Sequence, residues 1–185
     1  NSLQLVASFL RLQAKTAGPG AIADHLDEAQ ARLAAVALVH RRLYRDDQVE
    51  SVDLSRYVEE LVGDMRTSLG ADWGRYLTLD LAPVLVPTDR AVNIGLILTE
   101  LVINATKYAY DGAAGPLAVT LEQHGGRLRL IVADDGRGRG EVSGDGQGFG
   151  SRMMVAMVQR LSGTLDYHDN MPGLRAIMTA PIAEE

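Results

Sequence analysis

Two stretches at the start of the chain repeat apolar residues at helical spacing. Residues 1–16 offer Leu3, Val6 and Leu10, and residues 22–44 offer Ile22, Leu26, Ala29, Leu33, Val36, His40 and Leu43 at alternating steps of four and three. Such steps form the a/d seam of a helix that packs along a partner. Ala17-Gly18-Pro19-Gly20 between them is a strong turn signal, so the pattern predicts a helical hairpin. Two helices of this length share too little surface to stand alone. A second copy of the hairpin would complete a four-helix bundle; an arm folded back on its own domain is the alternative.

From Val52 onward the pattern becomes mixed. Residues 53–69 place Leu54, Tyr57, Val58, Leu61 and Met65 on one side of a helix, and residues 76–81 alternate, with Leu77, Leu79 and Leu81 facing one way. Thr88 or Asp89 caps a long helix that reaches Tyr108. Residues 117–123 and 127–133 alternate again around His124-Gly125-Gly126, which predicts a hairpin. A glycine-rich stretch precedes a helix over 151–161 that stops at Gly163. Two strands, 164–168 and 174–179, complete an α/β sandwich with helices on one face of a mixed, largely antiparallel sheet. The expected organisation is α+β overall, a helical hairpin over 1–50 and an α/β sandwich over 51–185.

Composition narrows the functions available. The 185 residues contain no cysteine, which excludes disulfides, thiolate metal sites and cysteine catalysis and fits a reducing cytoplasm. No apolar run approaches the roughly 18 residues of a membrane span, so no membrane contact is expected in this stretch. The net charge is −6, which argues against a nucleic-acid surface. Before Asp53 there are six basic and six acidic residues, against twelve and eighteen from it onward, so the acidic excess lies in the second part. The first residue is Asn, and a longer parent chain is expected.

Three segments carry candidate chemistry. Glu100, Asn104 and Lys107 are spaced by four and three and share a helix face, opposite Ile94, Ile97, Leu98, Leu101 and Ala105. A carboxylate, an amide and an ammonium so aligned suit a magnesium nucleotide. The amide oxygen enters an octahedral oxygen shell, the ammonium meets phosphate, and the carboxylate orients a water or accepts a proton. A surface salt-bridge face is the plainer alternative. Asp134-Asp135-Gly136-Arg137-Gly138 ends a strand in the form Asp-x-Gly-x-Gly. Asp134 can accept the exocyclic amino proton of adenine while the glycines admit close approach to the base, unless this is only a polar turn. Residues 136–150 hold seven glycines in fifteen positions, ending Gly146-Gln147-Gly148-Phe149-Gly150 before a helix. That segment can close over a ligand and present backbone amides to a triphosphate. A linker is the alternative, although linkers are rarely set between a core strand and a core helix.

In order and spacing these segments resemble the ATP-binding domain of bacterial sensor histidine kinases, a GHKL-type branch of the superfamily that includes gyrase, the heat-shock-90 chaperones and mismatch-repair ATPases. Glu100 to Tyr108 is similar to the N box, Asp134 to Gly138 to the G1 box, and Gly146 to Gly150 to the G2 box. Residues 1–6 resemble the tail of an H box of the His-Arg-x-Lys-Asn type, and residues 37–44 the second dimerisation helix of that subclass. The resemblance implies that Asn104 holds Mg2+, Lys107 and Tyr108 face phosphates, and Asp134 reads adenine. It further implies that Gly136, Gly138, Gly148 and Gly150 shape the pocket and lid, with Glu100 as the acid–base or orienting carboxylate. The family commonly has His at the position of Tyr108, and leucines where Phe149 and Ser151 stand.

The implied protein is a cytoplasmic kinase core of a two-component system, a phosphoprotein with ATP and Mg2+ as cofactors. It is expected to form a homodimer through the hairpin, below an upstream sensory domain, and to pass phosphoryl groups to a response-regulator receiver domain. On the family pattern the phospho-accepting histidine lies four residues before Asn1. His25, His40, His124 and His168 read as packing or surface residues instead. An anti-sigma-factor serine kinase of the same superfamily and a non-catalytic phosphotransfer adaptor are the rival readings. Arg137 and Arg139 are candidates to clamp phosphate or are solvated loop residues. Met153, Met154 and Met157 read as adaptable core, and Trp73 as a cover for a sheet edge.

Overall fold

The computed structural model describes residues 51–138 and 149–183, apart from the side chains of Ser68 and of residues 149–153. The expected hairpin over 1–50, with His25 and His40, lies outside the described residues, as do Arg139 and Gly148.

The described part begins with a short strand, β1 (Ser51–Asp53), and a helix, α1 (Leu54–Leu69). Asp53 is the N-cap. Its Oδ1 accepts from the Ser55 and Arg56 amides at 3.1 and 3.3 Å and from the Ser55 hydroxyl at 2.6 Å, which satisfies donors that the first helical turn leaves open. These bonds, the Ser55 hydroxyl foremost, hold the Asp53 carboxyl below the usual carboxylate range. Leu54, Tyr57, Val58, Leu61 and Met65 are buried, as the spacing predicted. Gly70, at φ +96°, ends this helix and starts a short one, α2 (Ala71–Tyr76), which the pattern did not predict. It seats Trp73 in the core.

Strands β2 (Leu77–Leu81) and β3 (Leu85–Pro87) follow; β3 pairs with β1 in a two-stranded ribbon that the sequence reading also lacked. The long helix α3 runs from Thr88 to Tyr108. The expected cap at Thr88 or Asp89 is corrected: Pro87 occupies the N-cap without a side-chain cap bond. Thr88 and Asp89 instead lie inside the first turn, which starts directly after the extended Pro87 (φ −55°, ψ 147°).

The hairpin of β4 (Leu117–His124) and β5 (Arg127–Asp134) leads to α4 (Phe149–Arg160), β6 (Thr164–Asp169) and β7 (Leu174–Pro181). The five-stranded sheet has the order β2-β4-β5-β7-β6, parallel at β2–β4 and antiparallel elsewhere. Alternation fixes its faces. Leu117, Val119, Leu121, Leu128, Leu130, Val132, Ala176, Met178 and Ala180 are buried under the helices, and α3 packs on β5 between α1 and α4. Buried Arg90 ties the start of α3 to the far side of the layer, donating to the carbonyls of Leu161 at 2.8 Å and Pro181 at 2.6 Å.

The helix stop at Gly163 holds with an altered mechanism. Ser162 takes the left-handed conformation, at φ 50°, and the Gly163 amide donates to the Val158 carbonyl at 3.0 Å. Gly163 is required for a different reason. A Cβ there would meet the Thr179 carbonyl oxygen at 2.6 Å, so glycine lets the turn lie against β7.

Candidate functional site

A cavity of about 90 Å³ opens where the C-terminal end of α3 meets the end of β5. Asn104 and Tyr108 come from α3, Asp134 and Gly138 from the end of β5 and its loop, and Leu174 and Tyr167 from the β6–β7 edge. Two of the three predicted segments therefore converge. The third, the glycine-rich stretch, falls mostly among residues that are not described; Gly150 lies in the first turn of α4.

The walls are mostly apolar, including Leu101, Ala105, Val132 and Ala176, and among them lies Asp134, only 6% exposed. Its Oδ1 accepts from the Gly136 amide at 2.9 Å and the Leu174 amide at 3.2 Å. Among the described residues Oδ2 takes no hydrogen bond, so this carboxylate keeps an acceptor in a mostly apolar recess. Such a recess suits a flat heteroaromatic ring with a polar edge that donates.

The loop after β5 is fitted closely to its neighbours. A Cβ on Gly136 would overlap the Ala109 carbonyl, and the Arg137 amide donates to that same carbonyl at 3.0 Å. Gly138 sits at φ +69°, with room for a Cβ only at 3.2 Å from the Gly173 carbonyl oxygen. Gly173, at φ +101°, has Asp134 backbone where a Cβ would stand. Arg137, a candidate phosphate clamp, pairs instead with Asp111 at 2.6 Å. Tyr110 and Asn170, which the sequence reading missed, hydrogen-bond to the same loop. Burial, first of all, pushes the Tyr110 phenol above its ordinary value, so it stays protonated at neutral pH.

The polar face expected on α3 divides in two. Lys107 and Tyr108 are exposed at the helix end and Asn104 is half-buried at the cavity. Glu100, one turn earlier, is 1% exposed and does not line the cavity. No side chain signalled this difference, because it depends on where α1 and α4 cover the helix. Met154 and Met157 are core, as expected, and Trp73 stacks at a tilt on Tyr110, with ring centroids 6.1 Å apart. His124 and His168 are exposed.

A larger concavity of about 490 Å³, between α2 and the loop after α3, is lined by Asp72, Arg75, Tyr76 and Gly112 among others and contains none of the predicted site residues. Among the described residues no cluster of three His, Asp or Glu side chains is arranged to hold a metal, and no helix is long and apolar enough to cross a membrane.

Comparison with known proteins agrees with the expected family and fold. A family model described as histidine kinase matches residues 1–69, and one described as histidine kinase-like ATPase domain matches residues 71–179. The sensor histidine kinase PdtaS of Mycolicibacterium smegmatis is 30% identical over 189 residues, which cover 98% of this chain and 38% of that protein. The blue-light-activated histidine kinase 2 of Erythrobacter litoralis is 26% identical over 192 residues, 100% of this chain and 55% of that one. The chain thus spans between about two fifths and just over half of these relatives. Its fold is similar to the solved histidine kinase domain of a blue-light activated histidine kinase from Erythrobacter litoralis, with a TM-score of 0.71 at 19% identity over 98% of this chain and 94% of that one.

Proposed function

The chain belongs to the sensor histidine kinases of two-component signalling, with a GHKL-type ATPase domain, and from that premise we propose that it binds ATP in the cavity between α3 and β5. The observation that carries this reading is that Asn104, Asp134 and Gly138 line one recess. Adenine lies between the apolar walls, its amino group donating to Asp134 Oδ2. The triphosphate runs toward the end of α3, where Lys107 and Tyr108 face it. Gly136 and Gly138 keep the loop close to the base, and Gly148 and Gly150 supply backbone amides from the lid.

The donor set fits magnesium in the way nucleotide enzymes use it. A metal carried by phosphate oxygens and waters needs only one or two protein oxygens, and the Asn104 amide offers one. When bound, the ion would neutralise charge on the phosphates. Glu100, one helical turn before Asn104 and buried, would serve as the orienting carboxylate. The γ-phosphoryl bond to ADP breaks as a bond forms to an imidazole nitrogen, whose proton leaves to a base. The protein's part is alignment and charge compensation.

The acceptor is a histidine of the dimerisation helix, four residues before Asn1, and the phosphoryl group passes on to an aspartate of a response-regulator receiver domain. The match of residues 1–69 to a histidine kinase model supports a histidine acceptor and a dimerising hairpin over a serine-phosphorylating anti-sigma-factor kinase. The cytoplasm is the compartment in which ATP and the regulator meet it.

Calorimetric titration tests the reading. Wild-type protein is expected to bind ATP with magnesium, and Asn104→Ala to weaken that binding about tenfold or more while leaving adenosine affinity and the thermal midpoint in place. Equal ATP affinity in the variant would remove Asn104 from the metal site, and absence of any ATP binding by the wild type would remove the proposal.

A further inference from the structure

The peptide group that joins Asp134 to Asp135 is held at both ends by side chains from other loops. Its N–H, on Asp135, donates to the Tyr110 hydroxyl at 2.9 Å. Its carbonyl, on Asp134, accepts from Asn170 Nδ2 at 2.9 Å. Both holders are themselves fixed. The Tyr110 hydroxyl donates to the Pro116 carbonyl, and its ring lies on Trp73 and fills the space over Gly115, where a Cβ would overlap it. Asn170 Oδ1 accepts from Arg175 Nη2 at 3.0 Å, which orients the amide so that Nδ2 faces Asp134; Nδ2 also reaches Asp135 Oδ1 at 3.1 Å.

A peptide plane can tilt only by changing ψ of the residue before it and φ of the residue after it. Here those angles decide how the glycine loop leaves β5 and where it places the Gly136 amide, whose bond to Oδ1 helps hold the Asp134 carboxylate. We propose that Tyr110 and Asn170 are positioning residues that form a two-ended clamp on this peptide, presetting Asp134 for the adenine edge before nucleotide arrives. The inference rests on the proposed ATP site and adds to it the device that orients its base-reading group. Neither residue belongs to the cavity lining, so the clamp acts through Asp134 rather than by touching the nucleotide. A base-reading hydrogen bond gains from a group already in place, since the ligand then spends none of its binding energy on ordering it.

The full chain carrying Tyr110→Phe keeps the ring against Trp73 and removes only the hydroxyl. Its expected signature has three parts. Exchange of the Asp135 amide hydrogen, read by NMR without nucleotide, quickens about fivefold or more, while that of Val132 in mid-strand does not change. Affinity for ATP falls about fivefold, and the preference for ATP over inosine triphosphate, which lacks the amino group, shrinks. The thermal midpoint stays within about 4 °C. Asn170→Ala is expected to repeat the loss of affinity and preference, and the double variant to lose less than the product of the two, because both act on one peptide plane.

Unchanged Asp135 exchange together with unchanged ATP preference in Tyr110→Phe would overturn the clamp while leaving the ATP site standing. A lowered midpoint with ATP preference intact would make Tyr110 a packing residue only and overturn it equally. Wild-type protein that titrates no ATP would instead overturn the proposed function.

Discussion

The two ends of the cavity are built differently. At the end of β5, Asp134 and the residue after it are tied by the amides of Gly136 and Leu174 and by the side chains of Tyr110 and Asn170, and Gly136 and Gly173 leave no room for a Cβ. At the end of α3, Lys107 and Tyr108 stand exposed on the last turn of the helix, with Tyr108 57% exposed. One end is fixed before any ligand is present and the other is exposed to solvent. In the proposed orientation this separates recognition of a rigid base from capture of a flexible, highly charged triphosphate. A shape-specific group benefits from preorganisation, whereas charge attraction acts over a longer range and demands a less exact fit.

Breaking the fixed end is expected to cost most. Asp134→Asn keeps an oxygen to accept from Gly136 and Leu174 but places an amide donor against the amino donor of adenine. ATP affinity is expected to fall on the order of 100-fold with the fold retained, measured by titration beside a thermal melt. An equal affinity would mean that Asp134 serves the loop rather than the base. Gly173→Ala drives a Cβ into the Asp134 backbone at a positive φ, and is expected to destabilise the domain by roughly 2–4 kcal/mol in urea unfolding. A neutral result would show that the β6–β7 turn yields freely and that the end at Asp134 is not fixed.

The smallest effect lies away from both ends and serves as a control. Asp53→Ala removes the cap of α1 and is expected to lower stability by about 1 kcal/mol near neutral pH without altering nucleotide affinity. Because its folded pKa lies below its unfolded value, the cap's contribution is present above the ordinary carboxylate range and is lost as pH falls through the folded value. The difference between wild type and variant therefore narrows in acid. A difference that is constant down to strongly acid pH would show that the carboxylate charge is not what caps the helix.

Much of this was legible in the residues. The buried side of α1, the β4–β5 hairpin and the helix carrying Asn104 follow from periods of 3.6 and 2, and the placing of Asn104 and Asp134 on one recess is what the resemblance of their motifs to the N and G1 boxes implies. What could not be read has a physical cause in each case. The ribbon of β1 and β3 has three residues per strand, too few for a period to register. The helix at Ala71–Tyr76 is six residues long and contains Gly74, and it forms because Trp73 finds a place in the core. Gly163 marked a helix end correctly, but the left-handed residue is Ser162, because close approach to β7 reserves the glycine. Glu100 shares the helix spacing of Asn104, yet the covering of α3 by its neighbours buries it. Tyr110 and Asn170 carry no motif, and only the fold brings them to one peptide from 60 positions apart in sequence.

In the proposed function one nucleotide is met at once by the end of α3 and the end of β5. Amide chemical-shift mapping of the full chain during titration with a non-hydrolysable ATP analogue and magnesium tests it directly. The amides of Asn104, Asp134 and Gly138 are expected to shift together along a single binding isotherm. Shifts confined to one of these segments, or centred on the concavity around Arg75 and Gly112, would contradict it.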